Sequence, residues 1–332
     1  MSGGRQLLRI GLVTVALSLG GCAWDLPMST LVAHSDVARA ILSVYAIITW
    51  ATIAIALVVS TILAGVLIRF RHRPRRELPA QTAGHTLLEL SWTIAPALVL
   101  LVIAIPTITV IFATQRPAPR DALVVTVRGW QWWWEFRYPS FDVVTANELY
   151  IPAGRPVVLQ LEGPDVIHSF WVPRLGGKRD VVPGRLNQIV FTADAPGELW
   201  GQCAEFCGVS HANMRMRVVV LAPDAFERWV ASERSPAAEP SGAAADGKAI
   251  FARSACVGCH TIRGVSAGTI APDLTHFGRR RTLAAGILPN TPEHLIAWLL
   301  DPPAIKPGAK MPALGLTGAQ AQAVATYLLG LK

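Results

Sequence analysis

Soft metal ligands are concentrated in one short stretch of the 332-residue sequence, which contains, in order, Cys203, Cys207, His211 and Met214. Thiolate, imidazole and thioether donors favour copper over calcium or magnesium. A mononuclear blue-copper site uses a single cysteine, so two cysteines predict a dinuclear centre with bridging thiolates. His168 is available upstream as a further ligand. A loop stabilised by zinc is the alternative, because zinc also accepts cysteine and histidine.

A second motif lies near the C-terminus, where Cys256, Cys259 and His260 form a Cys-x-x-Cys-His sequence. This sequence attaches a c-type haem: both thiols add to the vinyl groups, and the adjacent imidazole binds the iron. Met311 is the predicted sixth ligand, because thioether ligation raises the potential and suits electron transfer. His276 is a weaker candidate for that position. A zinc site would need a second cysteine pair, which the sequence around this motif does not contain.

The segments that must position these sites begin with a predicted export signal at residues 1–22. Arg5 and Arg9 precede an apolar run, and the run ends in Leu19-Gly20-Gly21-Cys22. This pattern is typical of a secretory signal. The final four residues resemble a bacterial lipoprotein cleavage box in which Cys22 is lipidated. An ordinary signal peptide or an uncleaved anchor is the alternative.

Two uncharged runs, 40–68 and 90–115, predict a transmembrane hairpin over residues 36–115. Each run is long enough to cross a hydrocarbon core of about 30 Å. Residues 69–76 between them carry five arginines. By the positive-inside rule this loop is cytoplasmic, and both metal-binding segments then lie on the outer side. Glu89 stands at the start of the second run, either as an interfacial residue or as a candidate for a proton pathway.

The rest of the chain reads as two soluble domains joined by a linker. Residues 116–230 contain short β-branched segments separated by Pro and Gly turns, which predict a β-sandwich or Greek-key barrel. Residues 231–245 are small, polar and proline-bearing, as in a flexible linker. Residues 246–332 combine the haem motif with helical segments.

The formal net charge of +8 does not indicate nucleic-acid binding. Residues 116–230 are balanced, with twelve basic and twelve acidic side chains. The excess of basic residues falls in the loop between the apolar runs and in residues 246–332, with no stripe of basic and aromatic side chains. The five cysteines suggest no disulfide framework, since each belongs to one of the motifs above.

Together these motifs resemble cytochrome c oxidase subunit II, in the bacterial form that carries a fused C-terminal cytochrome c domain. The resemblance covers nearly all of the chain from about Ile41 onward. Residues 201–208 (GQCAEFCG), with His211 and Met214, are similar to the family's CuA loop. Residues 165–173 (DVIHSFWVP) are similar to the loop that supplies its first histidine. The implied fold is a transmembrane hairpin, a cupredoxin-like Greek-key domain and an all-α class I cytochrome c domain.

The resemblance also assigns roles to individual residues. It implies that the CuA ligands are His168, Cys203, Cys207, His211, Met214 and the backbone carbonyl of Glu205. The Glu205 carboxylate would bind magnesium at the boundary with the catalytic subunit, which is chemistry expected of an oxygen ligand. Trp132, within residues 129–136 (GWQWWWEF), would receive electrons. Glu89 would lie at the mouth of a proton channel into subunit I. Trp130 departs from the family, which usually has histidine there.

The function implied is that of the electron-accepting subunit of a proton-translocating cytochrome c oxidase. Electrons would pass from an external donor through haem c and CuA to the oxygen-reducing haem and copper site in subunit I. The expected partners are subunit I, subunit III, and cytochrome c or a quinol–cytochrome c reductase. The expected location is the bacterial inner membrane, as a multi-pass protein with both metal domains on the periplasmic side.

Three other classes of protein share part of this pattern. A soluble CuA reductase, such as one acting on nitrous oxide, would lack the membrane spans and need a large catalytic domain. A quinol oxidase subunit II would have lost the copper ligands, which this sequence retains. A copper carrier or storage protein would not need the haem motif.

Overall fold

A computed structural model describes residues 26–71 and 83–332. The predicted signal peptide, with Cys22, lies outside the described residues. So do three of the five loop arginines, Arg73, Arg75 and Arg76. The predicted orientation of the hairpin in the membrane therefore remains an expectation from sequence.

Two long helices, α1 (Asp36–Arg69) and α2 (Thr86–Thr114), pack against each other. Within the described residues they are the two helices long and apolar enough to cross a membrane. Their apolar side chains are almost all exposed, as expected for surfaces that meet lipid or a partner subunit. The prediction of a multi-pass protein is therefore corrected to two spans. Pro96 and Pro106 lie inside α2 without ending it.

The start of α1 is fixed to the β-domain. Ser35 caps the helix, accepting a hydrogen bond from the Ala38 N–H at 3.0 Å, and its hydroxyl donates to the Leu175 carbonyl at 2.7 Å. The Asp36 carboxylate accepts from the Thr192 N–H at 2.8 Å. Ser35 is fully buried. The membrane hairpin is thereby attached to the β-domain by its first turn as well as by the chain that follows α2.

The β-domain consists of two five-stranded sheets packed face to face. The first has the order β3-β2-β1-β5-β8 and the second β4-β10-β9-β6-β7. The pairs β1–β5 and β4–β10 are parallel, and the other pairs are antiparallel. Buried residues alternate along β9, whereas β1 and β5 each also contain three consecutive buried residues, and the inward faces of these strands form the core. The strands are β1 Leu123–Trp130, β2 Trp133–Tyr138, β3 Val143–Ala146, β4 Glu148–Pro152, β5 Pro156–Glu162, β6 His168–Trp171, β7 Arg179–Val181, β8 Asn187–Thr192, β9 Gly197–Cys203 and β10 Arg215–Leu221.

Helix α3 (Pro223–Arg234) follows the last strand and packs Phe226 and Val230 onto the sandwich. The next helix, α4, begins at Ala243, so the segment between these helices is 235–242. Both ends of the predicted linker 231–245 are thus helical. The domain limits given above remain proposals, and the helix bounds are what the structure adds to them.

The C-terminal domain is built around two crossing helices, α4 (Ala243–Arg253) and α8 (Gly318–Gly330). Gly247 lies against the backbone of Ala323 so closely that a Cβ there would collide with it. Shorter helices complete the domain: α5 Cys256–Cys259, α6 Pro292–Leu300 and α7 Pro302–Ile305. The domain also contains two small hairpins of two-residue strands, so it is not purely helical. In these hairpins Thr261–Ile262 pairs with Ser266–Ala267, and Thr282–Leu283 pairs with Leu288–Pro289. The predicted three-part architecture is confirmed.

Candidate electron-transfer site

The predicted copper ligands meet at one end of the sandwich. Cys203 ends β9, Cys207 lies in the loop that follows β9, and His168 begins β6. The two cysteine sulfurs are 3.8 Å apart, and the Cys203 sulfur lies 3.9 Å from His168 Nδ1. The Cys207 sulfur lies 3.6 Å from His211 Nδ1 and 3.9 Å from Met214 Sδ. Both cysteines are free and buried. The donor set and its spacing suit two soft metal ions held between shared sulfurs.

His168 is oriented by a neighbouring carboxylate. Its Nε2 lies 2.9 Å from Asp165 Oδ1, which leaves Nδ1 pointing at Cys203. The ring is fully buried. Burial opposes protonation, but hydrogen bonds to Asp165 and Cys203 outweigh it and raise the pKa of His168. Carboxylates that hold the second nitrogen of a ligating histidine fix its tautomer and strengthen metal binding. The sequence analysis gave Asp165 no role. Its position three residues before His168 could have suggested that the two side chains interact.

The two thiols share protons unequally because they are hydrogen-bonded to each other. A hydrogen bond from Cys207 lowers the pKa of Cys203 to about 3, despite the opposing effect of burial. The same contact with Cys203, together with burial, raises the pKa of Cys207. Cys203 is therefore the more acidic of the two thiols, and a thiolate is the form that binds metal.

Glu205 lies between the two cysteines with its carbonyl and carboxylate in different surroundings. Its carbonyl oxygen lies 3.3 Å from the Cys203 sulfur, so it faces the cluster. Its carboxylate is 3.4 Å from Lys178 Nζ, at the surface. The carbonyl oxygen of Glu205 is therefore available to the cysteine cluster, while its two carboxylate oxygens lie at the surface.

The tip of the β1–β2 hairpin contacts the loop of predicted copper ligands, residues 203–214, called the copper loop below. The side-chain amide of Gln131 and the indole N–H of Trp132 both donate to the Cys207 carbonyl, at 2.8 and 3.0 Å. The Gln131 backbone N–H donates to the Asp165 carboxylate at 2.7 Å. Trp132 is only 8% exposed. The predicted electron-accepting tryptophan therefore touches the backbone of a cysteine in the cluster.

A cavity of about 430 Å³ contains the predicted haem ligands. Cys256, Cys259, His260 and Met311 all line it, and most of its remaining surface is apolar. The Nδ1 of His260 lies 2.8 Å from the Pro272 carbonyl, which leaves Nε2 as the free ring nitrogen. Burial lowers the pKa of His260 and keeps the imidazole neutral, as a metal ligand must be. Size, lining and ligand set fit a haem.

His276 is held away from this cavity. Its Nε2 lies 3.1 Å from the carbonyls of Glu233 and Ser235, at the end of α3, and it is absent from the cavity lining. Among the described residues, Met311 is the thioether that shares the cavity with His260. The geometry favours Met311 over His276 as a partner for the iron.

The C-terminal domain is docked directly on the hairpin tip. The Lys306 ammonium group donates to the Trp132 carbonyl at 2.6 Å and to the Ala284 carbonyl at 3.0 Å. Ser210 donates to the Pro307 carbonyl at 2.5 Å. Lys306 is 4% exposed, and burial lowers its pKa to about 7. Two carbonyls, one from each domain, thus accept hydrogen bonds from one buried amine, which ties the domains together.

A second buried charge, Glu148 on β4, anchors the opposite part of the interface. One carboxylate oxygen accepts from the backbone N–H groups of Arg281 and Thr282, at 2.8 and 3.1 Å, and from the Thr282 hydroxyl at 3.2 Å. The other accepts from Tyr150 at 3.0 Å. Glu148 is fully buried. All three contacts with Arg281 and Thr282 cross between domains.

Ion pairs at the rim of this interface join basic side chains of the C-terminal domain to acidic ones of the sandwich and α3. Lys310 lies 3.7 Å from Asp165, and Arg279 lies 3.4 Å from Glu233. Arg281 also pairs with Glu198. Such partly exposed pairs contribute little energy one by one. Their common direction nevertheless places the positive charge of one domain against negative charge of the other.

Comparisons with known proteins agree with this geometry. Residues 25–110 match the transmembrane domain of cytochrome c oxidase subunit II, 142–222 match its periplasmic domain, and 244–332 match cytochrome c. Cytochrome c oxidase subunit 2 of Alkalihalophilus pseudofirmus is 39% identical over 287 residues, which cover 84% of this chain and 83% of that protein. The chain belongs to the cytochrome c oxidase subunit 2 family.

Other relatives extend the match to the full length. Cytochrome c oxidase subunit 2 of Bacillus subtilis is 35% identical over 351 residues, covering 99% of this chain and 98% of that one. The periplasmic domain of subunit II of cytochrome oxidase from Bradyrhizobium japonicum is 32% identical and covers 36% of this chain and 97% of that one, with a TM-score of 0.34. The family implies a CuA centre, a haem in the C-terminal domain, and membership of a haem–copper oxidase complex with a subunit I.

Glu89 is the one predicted site residue that lies far from the cluster and the cavity. It stands in the first turn of α2, at one end of the membrane hairpin, and its side chain is exposed. Its carboxylate approaches Gly84. In this subunit 2 family member the position is accessible to a neighbouring subunit.

Proposed function

We propose that this chain relays electrons from an external donor, through a covalently attached haem c and a dinuclear CuA centre, to subunit I of a proton-translocating oxidase. The donor is cytochrome c or a quinol–cytochrome c reductase, and subunit III is a further partner. The chain is exported by residues 1–22, with lipidation at Cys22. It is held in the bacterial inner membrane with both metal domains in the periplasm.

One observation carries the proposal: Trp132 belongs to both sites. Its side chain lines the cavity that contains the haem motif, and its indole N–H donates to the Cys207 carbonyl at 3.0 Å. A single side chain therefore joins the two candidate cofactor sites. The bound copper and haem would supply one-electron redox chemistry, and the protein supplies a short, rigid and water-poor connection between them.

The residues that would hold copper are positioned by hydrogen bonds to their neighbours. Asp165 orients His168, and Gln131 and Trp132 hold the backbone at Cys207. A rigid ligand set changes little between redox states, which suits electron transfer. The six proposed ligands are His168, Cys203, Cys207, His211, Met214 and the carbonyl oxygen of Glu205.

Of the four proposed haem-binding residues, two would attach the haem covalently and two would ligate its iron. Cys256 and Cys259 would form the thioether links, since both line the cavity and lie one helical turn apart in α5. His260 would ligate the iron through its neutral Nε2, and Met311, which lines the same cavity, would supply the second protein ligand. Thioether ligation favours electron transfer over oxygen binding.

Two proposed roles depend on subunit I. The outward-facing Glu205 carboxylate would leave Lys178 and bind magnesium at the subunit boundary, as a hard cation prefers oxygen ligands. Glu89 would receive protons at the mouth of a channel, which is consistent with an ionisable group exposed at the end of a membrane helix.

The test uses the purified holocomplex with Trp132→Phe, which keeps an aromatic ring but removes the N–H bonded to Cys207. After rapid photochemical reduction of the haem, copper reduction is followed optically. We expect its rate to fall by roughly tenfold, the change that about 1.4 kcal/mol on the barrier produces. Trp298→Phe is the matched control, because Trp298 lines the same cavity from the C-terminal domain.

Two results would contradict the proposal. Wild-type transfer rates in Trp132→Phe would show that the shared tryptophan is not on the path. A c-type haem band without a mixed-valence copper signal in the wild-type complex would remove the relay altogether.

A further inference from the structure

The cavity that contains the haem motif is not enclosed by the C-terminal domain alone. The sandwich contributes a wall to it through Trp130, Gln131, Trp132, Trp133 and Asn147. These residues come from the β1–β2 hairpin and the turn before β4. A ligand that fills the cavity therefore touches both domains while they are docked.

The centre of this wall is a pair of tryptophans. Trp130 and Trp133 are directly opposite each other across the hairpin, and their rings are nearly parallel, with centroids 6.1 Å apart and an interplanar angle of 7°. The hairpin register fixes both rings relative to the sheet. Since both line the cavity, they present a rigid aromatic face to its contents.

Trp130 also contains an unmet hydrogen-bonding group. Its indole nitrogen is buried and has no partner among the described residues. Buried polar groups are nearly always satisfied, and leaving one unpaired costs about 1–3 kcal/mol. The cavity beside it holds two cationic side chains, Arg280 and Lys306. A donor N–H and two cations around one cavity call for a ligand with negatively charged acceptors.

We propose that Trp130 completes the haem site from the neighbouring domain, with its indole N–H donating to a carboxylate of the haem. The inference rests on the proposed haem c. It makes the haem a cofactor shared by both domains, whose properties depend on docking. Trp130 is then a positioning residue for the haem, distinct from Trp132, which connects to the copper loop.

The experiment compares Trp130→Phe with the wild-type holoprotein. Phenylalanine keeps an aromatic ring against Trp133 but removes the N–H donor together with part of the ring volume. Without that donor the carboxylate charge is less compensated, so the ferric haem is favoured. We expect the equilibrium constant for haem reduction to fall by roughly three- to tenfold at pH 7, as hydrogen bonds to charged groups are stronger than neutral ones.

The matched control is Trp229→Phe. Trp229 lies in the same domain and is stacked on Tyr150 at 4.6 Å, but it does not line the cavity. Its substitution should leave the haem potential unchanged. Resonance Raman bands of the haem carboxylates supply a second readout, which should shift in Trp130→Phe alone.

The outcomes separate this inference from the proposed function. Absence of a c-type haem in the wild-type protein would remove both. Normal haem and wild-type electron transfer, with an unchanged potential and unchanged carboxylate bands in Trp130→Phe, would overturn only the role of Trp130. Equal shifts in Trp130→Phe and Trp229→Phe would also overturn it, because they would indicate a general loss of packing.

Discussion

Adding one methyl group at Gly308 should separate the two metal-binding domains. Gly308 lies where the C-terminal domain meets the copper loop. A Cβ at this position would be 2.5 Å from Val209 Cγ1 and 2.9 Å from Trp132 Cη2. These distances are far below van der Waals contact, and the tryptophan is held by its bond to Cys207. Gly308→Ala can be accommodated only if the interface opens or the copper loop shifts.

The size of the effect has two parts that a control can separate. Gly308 has a φ of +76°, so any L side chain carries a backbone cost of roughly 1–2 kcal/mol. Gly315 has a φ of +67° and nothing within 4 Å of its Cβ position, so Gly315→Ala carries only the backbone cost. Overpacking adds about 1–3 kcal/mol in Gly308→Ala. The docked state should therefore be disfavoured by a further fivefold to 150-fold, roughly.

The assay measures docking directly on the full-length holoprotein. Lys310 Nζ lies 3.7 Å from the Asp165 carboxylate, across the interface. A zero-length carbodiimide reagent should join these side chains into an amide that mass spectrometry identifies. We expect a high yield of this cross-link in the wild type and in Gly315→Ala, and a low yield in Gly308→Ala.

The reasoning would be refuted if both alanine variants gave the wild-type yield. Docking in solution would then not require the close contact at Gly308. A similar loss in both variants would also refute it, since the cause would be backbone strain shared by the two glycines. Unchanged haem and copper spectra in each variant would show that the separate domains are intact.

Three further predictions concern the charged groups of the site and the interface. Glu148→Gln should weaken docking by about 1–3 kcal/mol, because it removes charge from the acceptor of three interdomain hydrogen bonds. Hydrogen exchange of the backbone amides at the interface measures this loss. Glu239→Gln is the control, because Glu239 belongs to an exposed surface ion pair and its substitution should have no effect. Asp165→Asn should lower copper affinity by about 10–100-fold, measured by competition with a chelator; unchanged affinity would exclude the proposed orientation of His168. Burial lowers the pKa of Lys306 from 10.5 to about 7, so the docked state binds fewer protons than the undocked state between these pH values. Docking should therefore strengthen as pH rises through this range, by at most about 1.4 kcal/mol per pH unit. Lys306→Met should abolish this dependence, and an identical pH profile in that variant would contradict the assignment.

The sequence predicted the parts of the site that are local in the chain. The spacing from Cys203 to Met214 brings soft donors together within one loop and one short helical turn, and the structure places their sulfur and nitrogen atoms within 4 Å of a neighbour. The haem motif is equally local. Long uncharged runs also indicated the two membrane helices, and short β-branched segments between Pro and Gly turns indicated the β-sandwich.

The interdomain contacts could not be predicted in this way. Lys306 and the Trp132 carbonyl are 174 positions apart, and Glu148 and Thr282 are 134 apart. A lone lysine or glutamate in a sequence is ordinarily a solvated side chain, and no periodic pattern identifies its distant partner. Trp132 was expected to receive electrons, but only the fold shows that the protein's own C-terminal domain covers it.

These contacts change how the connection between the domains is understood. A flexible linker would raise the local concentration of the haem domain and leave its orientation free. The structure instead contains a short segment, 235–242, between two helices, with a buried charge from each domain satisfied by the other. Several basic residues that give the C-terminal domain its positive charge are directed at the sandwich rather than outward. Because Trp132 is covered, a donor in the proposed relay would meet the C-terminal domain first, without using the basic side chains that already pair with the sandwich and α3.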